Sequence, residues 1–280
     1  MILPVVFLLG VAQPPRPFAD ERRLLDGRLE TLRRILPDGP SPASDLAVVR
    51  DLAKALKLTS LQVAPRAPLE TGHRGDLPGE VVGVGRFEEV DRFFRQVALS
   101  HRLIDAESLT LTAEPEDQVR FAALLRLPYR PSGAPLPAPP EGPRPTGGSR
   151  AEMEAFNRDL ALALAKSETI AELRRARRNP RVFFSELSSI VRERPVVFHR
   201  ASLAEDFSVA GLTVGEASMR ALERRFERGF FRVSEVLVVR QGACHRFEGR
   251  GKSPVVGIEA TSSVIGPSAR APRISTYPRS

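Results

Sequence analysis

The chain has 280 residues, 42% of them hydrophobic and 27% charged, with one cysteine, no tryptophan and a formal net charge of +8. This is enough apolar chain for one large domain or two of ordinary size, and a single cysteine excludes both an internal disulfide framework and a cysteine-rich zinc site. The basic balance, carried by arginine, permits attraction to nucleic acid or anionic lipid without requiring either.

Residues 1–17 open with "MILPVVFLLGVAQPP", eleven apolar residues after Met1 that end on the small residues Gly10, Val11 and Ala12. Such a run covers about half of the roughly 20 residues needed to cross a bilayer, and no basic stretch precedes it. It admits three readings: a signal peptide or anchor with a mis-assigned start, a hydrophobic first element packed on the protein, or a tail. The first implies export.

Residues 18–40 follow as an amphipathic helix from about Ala19 to Leu36, closed by Pro37. Leu25, Leu29, Leu32 and Leu36 stand at heptad spacing between arginines and acids. The stripe is too short for a coiled coil of its own and long enough to dock on a partner helix, so Leu25, Leu29 and Leu32 are the candidate interaction residues. Packing against its own domain is the other reading.

Residues 41–130 form a first domain. Ser44 caps a helix from about Asp45 to Lys57 whose inner face is Leu46, Val49, Leu52, Ala53 and Leu56. "TSLQVAPRAP" is a short strand that stops at proline, and Glu80 to Phe87 a second one, with Gly83 and Gly85 marking a bulge or a close backbone approach. From Glu88 to Ser100, Val90, Phe93, Phe94, Val97 and Ala98 make one apolar helical stripe. "ESLTLTA" and "QVRFAALLRL" then form a hairpin across "EPED". The order is helix, strand, strand, twice over.

"GEVVGVGRFEEV" invites a dinucleotide reading, in which the third glycine would let helix and strand pack closely with a phosphate at the helix N-terminus. Glu88 stands at that place, and Glu88 and Glu89 in the first turn suit the helix dipole while repelling a phosphate. The glycines are instead expected to let the strand pass close under the helix that carries Phe93 and Phe94.

Residues 131–150 are rich in proline and glycine, with almost no large apolar side chain. Proline this dense favours an extended, semi-rigid spacer, and a domain boundary belongs here; a proline-rich peptide ligand is the alternative reading. Residues 151–262 repeat the earlier pattern. A long helix offers Phe156, Leu160, Leu164 and Leu173 for burial and ends in Arg174, Arg175, Arg177 and Arg178. A helix over about Val182 to Glu193, the hairpin "PVVFHRASL" and "DFSVAGLTV", a helix with Met219, Leu222 and Phe226 inward, and two more strands complete it. Residues 263–280 read as a disordered basic tail. Two αββ units in each half give an α+β protein of two ferredoxin-like, two-layer domains joined by the proline-rich linker, with the short amphipathic helix in front.

The polar residues assemble no chemistry at usable spacing. "RFEGRGKS" ends like a phosphate loop, but Arg246 stands at its first glycine position and Pro254 where a helix would start. His101, His199 and His245 lie far apart, Cys244 has no obvious partner, and no paired carboxylates or triad stand out. No catalytic, cofactor-binding or metal-binding residue and no small-molecule substrate is expected. A nucleic-acid-binding ferredoxin-like sheet would need exposed aromatics on its central strands, whereas the chain has only Tyr129 and Tyr277 beside its phenylalanines.

The stretch Gly85 to Leu111, "GRFEEVDRFFRQVALSHRLIDAESLTL", resembles without a gap the central segment of the PilO family of type IV pilus inner-membrane alignment proteins. Gly85, Phe87, Phe93, Val97-Ala98 and Arg102-Leu103-Ile104 occupy the places of that pattern, with Phe87 for the usual tyrosine and Ser100-His101 where the family tends to have Leu-Pro. With its flanks the resemblance covers about residues 19–130. The second half is more weakly similar to the periplasmic part of the PilN family, through its hairpin strand "FSVAG" (Phe207 to Gly211), the next helix and the final strand pair. The resemblance implies a non-enzymatic envelope scaffold, periplasmic or associated with the inner membrane. Such folds pair with themselves or with like subunits through helices and sheet edges, above a coiled coil that runs from a single anchor. This chain departs from both families in its short apolar start and in joining two domains through a linker. The type II secretion relatives GspM and GspL are the alternative to the pilus families.

Overall fold

The computed structural model describes residues 17–138, 147–176, 180–193, 195–228 and 233–252, together with a strand at Arg273–Thr276. The apolar start, the middle of the proline-rich spacer, Arg177, Arg178 and Tyr277 lie outside the described residues.

The first half runs α1 (Phe18–Ile35), α2 (Pro42–Ala55), β1 (Thr59–Pro65), β2 (Leu69–Thr71), β3 (Arg74–Arg86), α3 (Phe87–Leu99), β4 (Asp105–Glu114) and β5 (Gln118–Tyr129). The second half runs α4 (Arg150–Ala176), α5 (Pro180–Glu193), β6 (Val196–Leu203), β7 (Asp206–Val214), α6 (Glu216–Arg228), β8 (Val233–Gln241) and β9 (Cys244–Lys252). Within the stretch expected as a tail, Arg273–Thr276 forms β10.

Local chemistry sets most boundaries. α2 begins earlier than expected because Pro42 stands in its first turn, and the Asp45 carboxylate, rather than Ser44, accepts the Ser41 backbone N–H at 3.2 Å. At α3 the Glu89 carboxylate reaches back to the Arg86 N–H at 2.9 Å, so the helix N-terminus that a phosphate would need is already filled. β3 is longer than the expected Glu80–Phe87 and starts in a hairpin with β2, in which Thr71 pairs Arg74. "RFEGRGK" lies wholly within β9 and forms no phosphate loop.

Two separate sheets are expected from the sequence; the structure joins them. All ten strands form one sheet in the order β1-β3-β5-β4-β6-β7-β9-β8-β10, with β2 also on β3. The halves meet where β4 pairs antiparallel with β6, Leu109 opposite Leu203 and Thr112 opposite Arg200. Their cores also merge. α2 packs on β1, α3 on β3 and β5, α5 on β6, and α6 on β7 and β8, while α3 touches α5. The Phe184 ring of α5 stacks on Phe94 of α3 at 5.6 Å and meets Phe87 edge-on at 5.6 Å.

Within the sheet, each half arranges its main strands as first, second, fourth, third: β1-β3-β5-β4 and β6-β7-β9-β8. The match extends to single residues. Gly83 of β3 faces Phe121 of β5, and Gly211 of β7 faces Phe247 of β9. A Cβ on Gly83 would sit 2.8 Å from the Phe121 ring, and one on Gly211 would sit 2.9 Å from Phe247 and run into the Val197 carbonyl. The buried stripe Val90, Phe93, Val97 of α3 is matched by Met219, Leu222, Phe226 of α6. Gly83 therefore makes room for a neighbouring strand's ring, and it is Phe121 that touches Phe93 and Phe94, at 5.7 and 5.6 Å. Gly85 does pass close under α3: a Cβ there would sit 3.2 Å from the Glu89 carboxylate and 3.7 Å from Val90, and 2.6 Å from Leu58.

Candidate interaction site

A second, smaller hydrophobic cluster lies apart from the sheet core. It holds Leu25, Leu29, Leu32 and Leu36 of α1 and its exit against Phe156, Ala163 and Ile170 of α4. The seam residues singled out in the sequence, Leu25, Leu29 and Leu32, are thus buried, and the helix that covers them belongs to the same chain. Phe18 meets Phe156 at 5.8 Å, Arg22 pairs Asp159 at 2.7 Å, and Arg28 donates to Ser167 Oγ at 3.3 Å. The residue numbers rise together on both helices, so α1 and α4 run parallel.

Phe18, Leu25 and Leu32 oppose Phe156, Ala163 and Ile170, two seven-residue repeats facing each other as in a two-stranded coiled coil. The sequence reading of α4 put Leu160, Leu164 and Leu173 inward with Phe156. Those three leucines are only half-buried, Leu160 and Leu173 packing at the margin of the cluster, while Ala161 and Ala163 lie deeper, because small residues let the helix approach its neighbours closely.

The parallel arrangement gives the proline-rich spacer a task. It leaves at the C-terminal end of α1, where Ser132 Oγ donates to the Asp38 carbonyl at 2.9 Å. It re-enters at the opposite end, where Gly148 packs against the Phe18 ring. The 18 residues of α1 span about 27 Å, which the residues between Ser132 and Gly148 cover easily at about 3.1 Å each in extended form.

The base of the helix pair is a polar junction that sequence reasoning missed. Arg102 is buried, pairs Asp45 at 3.0 Å, and donates to the carbonyls of Ile35 and Pro128 at 3.1 and 2.5 Å. Fully buried Lys166 of α4 donates to the Leu36 carbonyl at 2.5 Å and pairs Asp38 at 2.7 Å. The Arg130 backbone N–H bonds the Pro37 carbonyl at 2.9 Å, and its guanidinium reaches the carbonyls of Ala134 and Pro135. Cations thus satisfy the carbonyls that α1 leaves open at its C-terminus, where the helix dipole favours them. Burial lowers the pKa of Arg102, Lys166 and Arg130, while Asp45 and Asp38 pull the other way. The one available signal was Lys166 itself, a charge inside the alanine-rich "LALALAKSETIA".

An open cleft of about 500 Å³ lies between the β2 hairpin, β3, β5 and Glu172 of α4. Both of its arginines are already paired: Arg74 with Asp76 at 2.8 Å and Arg126 with Glu107 at 2.5 Å. Among the described residues no group of three His, Cys, Asp or Glu is placed to hold a metal, and no helix is long and apolar enough to cross a membrane.

The chain matches no protein-family model and no curated protein. The crystal structure of the type 4 fimbrial biogenesis protein PilO from Pseudomonas aeruginosa aligns at 14% identity and a TM-score of 0.31, over 40% of this chain and 84% of that one.

Proposed function

We propose that this chain is a non-enzymatic scaffold of a cell-envelope assembly machine, of the kind formed by the type IV pilus inner-membrane alignment proteins. In this reading both partners of such a pair are held in one polypeptide: each half is a ferredoxin-like unit preceded by its own leading helix. The observation that carries the proposal is the parallel pairing of α1 with α4 beneath two like halves that share a sheet. The resemblance of Gly85 to Leu111 to the PilO family implies the same mode of association, like folds joined through helices and sheet edges. Both arginines of the cleft are engaged in ion pairs with Asp76 and Glu107, which speaks against an anionic substrate there.

Its partners on this reading are further copies or like subunits of a pilus or type II secretion platform, at the envelope. A nucleic-acid reading finds less support. Tyr129 is buried and donates its hydroxyl to Glu70 at 2.9 Å, and Arg120, Arg126 and Arg250 are each paired with a carboxylate. The test is photo-crosslinking in the native host from Leu24, an exposed leucine on α1. Capture of an inner-membrane pilus or secretion subunit from the envelope fraction is expected, and its identity separates the two machines. Recovery of the chain in the soluble cytoplasm with nothing attached would overturn the proposal.

A further inference from the structure

The two ends of the sheet are the same two kinds of edge that meet in its middle. In the joint, the third strand of half one (β4) pairs antiparallel with the first strand of half two (β6). At the outer ends stand β1, a first strand, and, beneath the added strand β10, β8, a third strand. Both halves point their strands and leading helices the same way, so the step from one half to the next is a displacement along the sheet. Such a head-to-tail contact is heterologous, so a pair of copies joined by it leaves one edge of each kind free.

The equivalence holds residue by residue. Leu111 faces Phe121 as Val238 faces Phe247, which makes the joint stretch Leu109–Thr112 of β4 equivalent to Val236–Val239 of β8. β1 and β6 both carry an irregularity just before the residue that pairs Val82 and Ala210 respectively, namely Gln62 and Arg200. The docking stretch Arg200–Leu203 is therefore matched by Gln62–Pro65, whose outer side faces no strand among the described residues; there the Val63 carbonyl accepts from Arg50 at 3.2 Å and Pro65 offers no N–H, so a docking strand displaces Arg50 and makes one ladder bond fewer than the joint does.

β8 has a cover. β10 lies parallel to it, pairing Glu235 to Val238, which overlaps the stretch equivalent to the joint in all but one residue. A first strand would dock antiparallel, so β10 blocks the edge without imitating the joint. An edge reading "EVLVV" left bare is an invitation to pair, and covering it is a known protection.

We propose that β10 is an exchangeable cover over a docking edge, and that when it leaves, β8 of one copy takes β1 of a second copy as β4 takes β6 within the chain. The register follows from the joint: Val236 opposite Pro65, Leu237 opposite Ala64, Val238 opposite Val63 and Val239 opposite Gln62. The occupant is another copy, and growth is open-ended because each added copy offers a fresh β8. The inference rests on the strand pairing and is independent of the machine the scaffold serves.

The test uses the full chain with Ile274→Pro and Ser275→Pro. Two consecutive prolines remove a ladder donor from β10 whichever way its pairing alternates. Sedimentation should show the parent as a monomer and the variant as species that grow with concentration beyond the dimer. Added parent, which offers β1 but a covered β8, should shorten them. In a Cys244→Ser background, Ala64→Cys with Leu237→Cys should give a disulfide ladder under oxidation, and either cysteine alone no more than dimers. A variant that stays monomeric with the parent's circular dichroism overturns the proposal, as does one that stops at dimers. Loss of the native circular dichroism also overturns it, since an exchangeable cover is not needed by the core.

Discussion

Phe184→Ala should loosen both halves of the protein although it touches the sequence of only one. Phe184 is fully buried in α5, with its ring 5.6 Å from Phe87, 5.6 Å from Phe94 and 5.7 Å from Phe183. Truncating a buried phenylalanine costs roughly 3–5 kcal/mol, and the two aromatic contacts across the halves, worth about 0.5–1.5 kcal/mol each, push the value to the upper part of that range. Against a total stability on the order of 5–15 kcal/mol, this is about a quarter or more. At about 1.4 kcal/mol per tenfold, amides that exchange by global unfolding should speed up by roughly two to three and a half orders of magnitude. Hydrogen exchange read by mass spectrometry resolves the two halves. The shared core requires protection in β3 and β5 to fall together with that in β6, β7 and β9. If β3 and β5 kept the parent's rates while the second half lost protection, the halves would be independent and the merged core would carry no coupling.

Cutting the chain between Ser132 and Gly148 should leave two fragments that co-elute on native gel filtration, because the β4–β6 ladder and the α1–α4 seam hold them; separate elution would contradict this. Leu29→Asp places a charge where the side chain is 2% exposed, so α1 and α4 should exchange fast while β3, β5, β7 and β9 stay protected. Gly83→Ala should cost about 1–3 kcal/mol, because the Phe121 ring must give way, and Gly211→Ala more, because the obstacle includes the Val197 carbonyl; thermal melts rank the two. Burial, then the Glu70 hydrogen bond and the charges of Glu70 and Asp76, push Tyr129 up to about 12. A raised pKa on an acid favours its neutral form in the folded state. The contribution is therefore complete below pH about 10 and is lost as pH rises through 12, amounting to roughly 3 kcal/mol. Absorbance titration in a chain without tryptophan reads the late ionisation directly, and Tyr129→Phe should flatten the alkaline loss of stability.

The helices and hairpins were legible because their signals are local. The stripe Val90, Phe93, Phe94, Val97 fixes α3 whatever lies beneath it, and Met219, Leu222, Phe226 does the same for α6. The repeated order of elements came from the same periodicities. The heptad leucines Leu25, Leu29 and Leu32 announced a seam but could not name the helix that fills it, since a leucine stripe fits any matching stripe. Lys166, inside an alanine-rich helical run, hinted at a buried charge, but no local pattern names its partners Leu36 and Asp38 or seats Arg102 beside Asp45 at the end of α1.

What the sequence determined by itself is the main elements apart from β2 and β10, the buried faces of α2, α3 and α6, and the duplication that sets a leading helix before each half. What only the tertiary structure decided is how the halves meet. β4 and β6 join through backbone N–H and C=O groups, which are the same in every residue, so no pattern of side chains marks one edge to pair and another to stay free. Phe184 and Phe94 each satisfy the local rule for an inward residue, and that they stack on each other follows only once the shared sheet has set their helices side by side.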